Sequence, residues 1–161
     1  MQYFTKELWM RINSQNEDVR LKAEKDWESR SIEYQQQFEL AKQHLPSKFI
    51  KDFMSRNGLH DYSIVEIVLT KQPRTSACEL KLSIEEETVI IKLAEIHSLQ
   101  IDIESLNYCI NGKLSWGYSE FEITPCNTIK LSVLCDINNE IAIEFEKISL
   151  KSLKQKWRSI L

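Results

Sequence analysis

Glycine and proline are scarce in this chain, which has three of each among 161 residues. Glycines at positions 58, 112 and 117 cannot supply a GxGxxG or GxxxxGK phosphate-binding loop, and no GxSxG nucleophile elbow occurs. HExxH and CxxC pairs are also missing, so the common short zinc-binding patterns are absent. These absences exclude the usual nucleotide-binding and hydrolase signatures, and we expect no cofactor and no metal.

Long apolar runs and a strong charge imbalance are missing too. No run approaches the roughly 18 apolar residues of a membrane span, and the first residues lack the pattern of a secretion signal. Twenty-one basic residues oppose 24 acidic ones, for a net charge of -3, which does not favour nucleic acid as a partner. We therefore expect a cytoplasmic protein with no transmembrane segment.

The four cysteines, Cys78, Cys109, Cys126 and Cys135, lie far apart in the chain. In a chain without a secretion signal, reduced thiols are the default. Cys78 and Cys135 fall in phase with aliphatic residues, so we expect both to be small core side chains.

The first sixty residues carry the pattern of two helices. Asn16 is a favourable N-cap, Pro46 ends a helix, and between them apolar residues recur every three, four or seven positions. These are Val19, Ala23, Trp27, Tyr34, Phe38, Ala41 and Leu45. A second apolar stripe ends at Asn57-Gly58. The pattern predicts a helical hairpin over residues 1–60, with the opening residues as a first strand or a cap that packs through Tyr3, Phe4, Leu8 and Trp9.

From Tyr62 onwards, apolar and polar residues alternate with a period of two, and turn residues separate the runs. This pattern predicts an antiparallel sheet of about six or seven strands over residues 61–149. The first strand, 62–69, is apolar on both faces, so we expect it centrally in the sheet or under the helices. A change of parity between Trp116 and Ile123 predicts a bulge.

The last residues, 150–161, combine cations with apolar residues at helical spacing, among them Leu150, Leu153 and Trp157. Such a short basic tail either docks on its own acidic sheet or contacts another molecule, such as an anionic membrane surface. The whole chain is thus predicted to be one α+β domain: a hairpin packed on an antiparallel sheet, with a basic C-terminal tail.

Two short motifs carry a resemblance. Residues 1–8 fit M-x-Y-F-T-K-E-L, and Leu59-His60-Asp61 stands at the helix–strand junction. The opening resembles that of an uncharacterised family of small cytoplasmic proteins from Gram-positive bacteria, a domain of unknown function. The resemblance implies the same layout, a helical hairpin followed by a meander of short strands, and it implies no activity.

His60-Asp61 is the pair closest to catalytic chemistry, since a histidine beside an acid can act as a general base. Adjacent side chains on an extended backbone point to opposite faces, which favours a structural role instead. A cleft between hairpin and sheet that combines His60, Asp61 and Glu120 is the alternative hypothesis, for a small-ligand protein or an enzyme. Nothing else in the sequence supports an enzyme.

Acidic residues dominate the outward positions of the predicted strands, and this surface is the leading candidate site. The residues are Asp102, Glu104, Glu140, Glu144 and Glu146, with Glu79 and Glu85 nearby. Trp116, Tyr118 and Glu120 lie beside the predicted bulge, where exposed aromatic side chains are favoured binding anchors. A concentrated acidic face attracts basic proteins. The sequence therefore predicts a non-catalytic protein-interaction module, of immunity or regulatory type, that binds a basic partner.

Overall fold

The computed structural model describes residues 1–73, 75–101, 114–135 and 139–153. Helices come first, followed by eight strands within these ranges. The helices are α1 (Lys6–Ile12), α2 (Glu17–Lys42) and α3 (Ser47–Met54), followed by a 3₁₀ turn (Asn57–Leu59). The strands are β1 (Ser63–Gln72), β2 (Thr75–Ile84), β3 (Glu87–Ala94), β4 (Ser98–Gln100), β5 (Leu114–Ile123), β6 (Ile129–Cys135), β7 (Glu140–Phe145) and β8 (Lys147–Leu153). The α+β prediction is confirmed.

The helix starts follow from their capping residues. The side chain of Asn16 accepts the Val19 N–H at 3.2 Å, which satisfies one free donor of the first turn of α2. Thr5 caps α1 in the same way by accepting the Leu8 N–H at 3.3 Å. The predicted hairpin is present as α2 and α3, and α1 is a third helix. The opening residues thus form a cap, in which Phe4 and Leu8 are buried.

All strand pairs in the described residues are antiparallel, in the order β4-β7-β6-β5-β1-β2-β3-β8. β4 continues β3 after residues 95–97, and β8 continues β7 after Glu146. The two ends of the order therefore belong to the same two chain segments, and the sheet closes on itself around the core.

The prediction of six or seven strands was too low, because two long strands are each interrupted. Glu95, between β3 and β4, has a left-handed backbone with φ of 58°, a conformation that L side chains rarely adopt. Glu146 alone separates β7 from β8. Neither interruption contains glycine or proline, so the sequence carried no turn signal there.

The inner face of the sheet holds alternating apolar side chains, as the period of two predicts. Among them are Leu80, Leu82, Ile91, Leu93, Leu131 and Ile143, all buried. Cys78 and Cys135 are buried with them, which confirms their prediction as core side chains. The bulge is also confirmed, as a register shift between Trp116 and Tyr118.

β1 departs in part from its prediction. It lies between β2 and β5 and is thus central in strand order, but its second half is exposed. Leu69 is 60% exposed although its cross-strand partner Cys78 is buried. The apolar character of this strand therefore does not reflect burial on both faces.

The predicted tail begins within a strand. Residues 150–153 belong to β8, because Ile148 and Leu150 alternate into the core while β8 pairs with β3. Residues 154–161 lie outside the described residues, as do Asp102, Glu104 and Cys109. In the described part of the chain, no helix is both long and apolar enough to cross a membrane.

Candidate functional site

A cleft of about 590 Å³ lies where α2, the α3–β1 junction and β5 meet. We call it the α2–β5 cleft. One wall is a single ridge of α2, because residues three and four positions apart share one face of a helix. Its members are Ser31, Tyr34, Gln35, Phe38, Glu39 and Lys42. β5 contributes residues 117–119, and the opposite wall consists of Phe53, Met54, Asn57, Gly58 and His60.

Aromatic rings form the floor of this cleft. Tyr34 and Phe38 stack with ring centroids 5.8 Å apart, and Phe38 and Phe53 both pack on Phe121 below. The Tyr34 hydroxyl accepts the Phe121 N–H at 2.9 Å, which ties α2 to β5. Burial raises the pKa of Tyr34, so this hydroxyl stays protonated. The floor is therefore an aromatic surface that a hydrogen bond ties to β5.

Polar and charged side chains surround the floor. Lys42 pairs with Glu39 at 2.5 Å and places its ammonium 4.9 Å from the centre of the Phe38 ring. Gln35 and Asn57 each add an amide, which offers both donors and an acceptor. The cleft thus presents hydrogen-bonding groups at its rim and apolar surface at its base.

His60 lies at the end of the cleft nearest the sheet. Its Nδ1 is 3.0 Å from a carboxylate oxygen of Asp61, and its ring meets Tyr118 edge-on at 5.0 Å. The expectation that the two adjacent side chains diverge was wrong. Asp61 has a left-handed backbone with φ of 70°, so the strand geometry on which that expectation rested does not apply. The carboxylate and the Tyr118 ring orient the imidazole at the rim.

Gly117 allows β5 to bulge at the cleft. A Cβ atom at this position would lie 2.5 Å from the carbonyl oxygen of Leu134 on β6, so no other residue fits without a backbone shift. A second cavity of about 200 Å³ lies beside the bulge and is lined by Trp9, His60, Asp61 and Leu134, among others. His60 therefore lines both cavities, whereas Asp61 lines only the smaller of these two.

Glu120 lies outside the α2–β5 cleft. Its side chain is 3% exposed and accepts the backbone N–H groups of Gln2, Tyr3 and Phe4 at 2.7, 2.8 and 2.7 Å. The Gln2 N–H binds Oε2 while the other two bind Oε1, so both carboxylate oxygens hold the opening residues against the sheet. The structure thus brings His60 and Asp61 together but gives Glu120 a role in the N-terminal cap.

The aromatic residues beside the bulge differ in exposure. Trp116 is fully buried, and its indole Nε1 has no hydrogen-bond partner among the described residues. Tyr118 is half-buried and packs against Phe4 and Trp27 as well as His60. Of the two, only Tyr118 lines the α2–β5 cleft.

The acidic candidates are engaged by the chain's own groups. Glu140 binds the α-amino group of Met1, Glu144 accepts the Thr128 hydroxyl, and Glu146 lies 2.9 Å from His97. Neighbouring strands show the same pairing, with Glu79 3.0 Å from Lys92 and Glu66 3.5 Å from Lys81. Among these contacts, the α-amino group of Met1 and the two lysines carry positive charge that offsets a carboxylate, whereas the Thr128 hydroxyl is neutral and leaves the charge of Glu144 in place.

No protein-family model matches this chain, and no curated protein matches it either. The resemblance carried by residues 1–8 stays an expectation. The candidate site accordingly stands on geometry alone.

Sequence reasoning placed His60 in a cleft between hairpin and sheet and Tyr118 on a binding surface beside the bulge, but it missed the α2 ridge and Ser119 as parts of the cleft. Tyr34 and Phe38 were interpreted as core residues of a helical stripe, and Phe38 is indeed buried. A stripe that borders a cleft has the same periodicity as one that borders only core. The positions of Gln35 and Asn57 depend on how α2 and the 3₁₀ turn approach each other, which no local pattern shows.

Proposed function

We propose that this protein is a non-catalytic binding protein whose ligand occupies the α2–β5 cleft. The observation that carries the proposal is the convergence of an aromatic floor and hydrogen-bonding side chains on one open cleft. Binding sites commonly combine mostly apolar walls with a few placed polar groups. A cytoplasmic location belongs to the same proposal, and the thiols of Cys78 and Cys126, which form no disulfide, support it.

The arrangement around His60 favours binding over covalent catalysis. An activated nucleophile needs a base within hydrogen-bond reach. Within the described residues, the imidazole Nδ1 lies 3.0 Å from an Asp61 carboxylate oxygen and the ring contacts Tyr118, and no serine or cysteine is hydrogen-bonded to it. An imidazole held in this way supplies a fixed polar group at the rim of the cleft.

A ligand that fits this cleft has an apolar or aromatic part and hydrogen-bonding groups. The rings of Tyr34 and Phe38 offer faces and edges for aromatic contact, each pair of rings contributing about 0.5–1.5 kcal/mol. Gln35, Asn57 and His60 then fix the orientation of the polar part.

The acidic sheet face is the other candidate that the sequence predicted, and it stays a proposal. Its attraction for a basic partner depends on unpaired charge, because paired charges create little long-range field. Glu140 is paired with the α-amino group of Met1, and the side chains of Glu144 and Glu146 are already hydrogen-bonded within the chain to Thr128 and His97. Since a basic partner would have to compete with these contacts, we place the ligand in the α2–β5 cleft instead.

A nuclear magnetic resonance titration with indole tests the proposal. Indole combines an aromatic ring with one N–H donor, and it is small enough for the cleft. We expect saturable shifts at millimolar concentrations, concentrated on the amides of Gly58, Gly117 and Ser119. Shifts spread evenly over the protein, or confined to a surface away from α2, would contradict the proposal.

Two variants of adjacent glutamines provide a matched control. Gln35 and Gln36 are both exposed residues of α2, but only Gln35 lines the cleft. We expect Gln35→Trp to fill the cleft and weaken indole binding by about tenfold, whereas Gln36→Trp leaves binding within about twofold. Equal effects of the two substitutions would show that the indole binds elsewhere.

A further inference from the structure

Along the edge of β5 that faces the α2–β5 cleft, the direction of each backbone N–H and C=O group follows from the antiparallel strand geometry. The Phe121 N–H points away from β6, because it donates to the Tyr34 hydroxyl. In an antiparallel ladder, backbone groups alternate between the two sides of a strand at every residue. Ser119, two positions earlier and paired with Val133, therefore directs both its N–H and its C=O away from β6 and towards the cleft.

Within the part of the chain that the structure describes, no strand pairs with this edge of β5, because β1 pairs with β5 only near the start of both strands. Among the described residues the two strands pair only at Ser63 and Ile64, opposite Ser115 and Leu114. Two further backbone hydrogen bonds follow: the Asp61 N–H donates to the Trp116 carbonyl oxygen at 2.9 Å, and the Trp116 N–H donates to the Tyr62 carbonyl oxygen at 2.7 Å. Before that point the chain turns away from β5, since Asn57, Gly58 and Leu59 all have left-handed backbones with φ of 50°, 64° and 66°.

The open stretch has two defined ends. At one end, His60 and the Gly117 bulge mark the point where pairing with β1 stops. At the other, the Tyr34 hydroxyl caps the Phe121 N–H. Five residues, 117–121, span about 13 Å at the usual rise of a strand. A ridge of α2 runs along the opposite side, with the aromatic floor between them.

We propose that the ligand of the α2–β5 cleft is an extended peptide segment of a partner protein, which pairs with β5 at Ser119 as an added strand. This inference rests on the proposed function, since it concerns the same cleft. Two backbone bonds to Ser119 set the direction and register of the peptide, as in other cases of strand addition. Side chains at alternate positions point to the floor, where Phe38 and Phe53 favour a large apolar residue.

Peptides in which chosen backbone N–H donors are blocked by methylation test this pairing. They are added to the whole unmodified protein. The probe is a blocked pentapeptide that alternates threonine and phenylalanine, with two terminal lysines for solubility. Two N-methylated forms carry methyl groups on the odd or on the even residues, so each form loses the N–H donors of one edge only. We expect one form to bind about tenfold more weakly than the parent peptide and the other to bind within about twofold.

The protein side of the bond is tested at Ser119. Ser119→Pro removes the N–H that faces the cleft and leaves no β6 hydrogen bond broken, because proline is accepted where the N–H points off the sheet. Ser119→Ala keeps that N–H and is the matched control. We expect at least a fivefold loss of peptide affinity in the proline variant and less than a twofold change in the alanine variant. The amide of Ser119 in the unmodified protein should also exchange more slowly with the peptide bound.

The outcomes separate this inference from the proposed function. Strand addition is supported if only one of the two methylated peptides binds more weakly and the binding site maps to residues 117–121. This result does not depend on the folding of any protein variant. Equal binding of all three peptides, or indole binding with no peptide binding, overturns strand addition and leaves the proposed function standing. If neither indole nor the peptide shifts the cleft amides, both proposals fail.

Discussion

Gly117 and Leu134 approach each other so closely that a side chain at position 117 has no room. A Cβ atom there would lie 2.5 Å from the Leu134 carbonyl oxygen, and that oxygen belongs to backbone that cannot rotate aside. The contact occurs at the bulge of β5, where the register with β6 shifts. It therefore couples the local path of β5 to the shape of both cavities that His60 lines.

We predict that Gly117→Ala lowers the free energy of unfolding by about 1–3 kcal/mol, because overpacking against backbone forces the two strands apart. Urea unfolding measures this loss. Gly58→Ala is the comparison: its Cβ would lie 3.4 Å from the Phe53 ring, an ordinary contact, so only its left-handed φ of 64° opposes the substitution. That conformation costs about 1–2 kcal/mol. A Gly117→Ala variant as stable as the parent protein would show that β5 and β6 separate freely here.

Glu120 is predicted to be the most sensitive carboxylate of the N-terminal cap. Replacement by alanine leaves the N–H groups of Gln2, Tyr3 and Phe4 without their acceptor, and each buried unpaired group costs about 1–3 kcal/mol. Because the opening residues can detach into water, we expect a total loss of about 2–4 kcal/mol in urea unfolding. Glu120→Gln keeps one carbonyl oxygen and should lose less.

Glu28→Ala is the control for that prediction, since Glu28 is an exposed residue of α2. Its substitution should change the unfolding free energy by no more than about 0.5 kcal/mol. If Glu120→Ala were as mild as Glu28→Ala, the three backbone contacts would contribute nothing to stability.

The helices show which structural elements the local sequence pattern predicts. α2 was predicted because Asn16 is an effective cap and apolar residues then recur at helical spacing over many turns. α1 was not predicted, since its seven residues contain only one buried side chain, Leu8. A single buried residue creates no periodicity, so a helix this short depends on its contacts with α2 in addition to its Thr5 cap.

The candidate site shows what the local sequence pattern does not predict. His60 was assigned to a cleft between hairpin and sheet, and it does line one. Glu120 was assigned to the same cleft, but its carboxylate binds backbone that lies 116 residues away in sequence, at Phe4. Contacts of that kind depend on tertiary structure, and a period of two indicates only on which face of a strand a side chain starts.

Glu87 should make stability depend on pH in the acid range. The hydrogen bond from Tyr62 lowers the pKa of the Glu87 carboxyl, and Arg56, at 2.8 Å, adds to this effect. A carboxyl whose pKa is lower in the folded state stabilises the fold above its usual pKa, and that contribution is lost as the pH falls through the folded-state value. The stability difference between the unmodified protein and Glu87→Gln should therefore shrink below about pH 4.5.

Urea unfolding from neutral pH to about pH 3 measures that difference. Glu86→Gln is the matched control, because Glu86 is the exposed turn residue that directly precedes Glu87. At neutral pH its stability should lie within about 0.5 kcal/mol of that of the unmodified protein. A difference for Glu87→Gln that does not change with pH would mean that the Tyr62 and Arg56 contacts do not favour the ionised carboxylate.

Tyr62 should produce a complementary dependence in the alkaline range. Burial, and then the hydrogen bond to Glu87, raise the pKa of Tyr62 to about 12. Its stabilising contribution is complete below the usual tyrosine pKa of about 10 and is lost as the pH rises towards the folded-state value, because the unfolded chain ionises first. We expect Tyr62→Phe to be about 1–2 kcal/mol less stable than the unmodified protein at pH near 9, since it loses a hydrogen bond to a charged group. That deficit should narrow by about pH 11, because the variant has no phenol to ionise. Urea unfolding at both values checks this, and a deficit that does not change between them would contradict the assignment of the raised pKa to Tyr62.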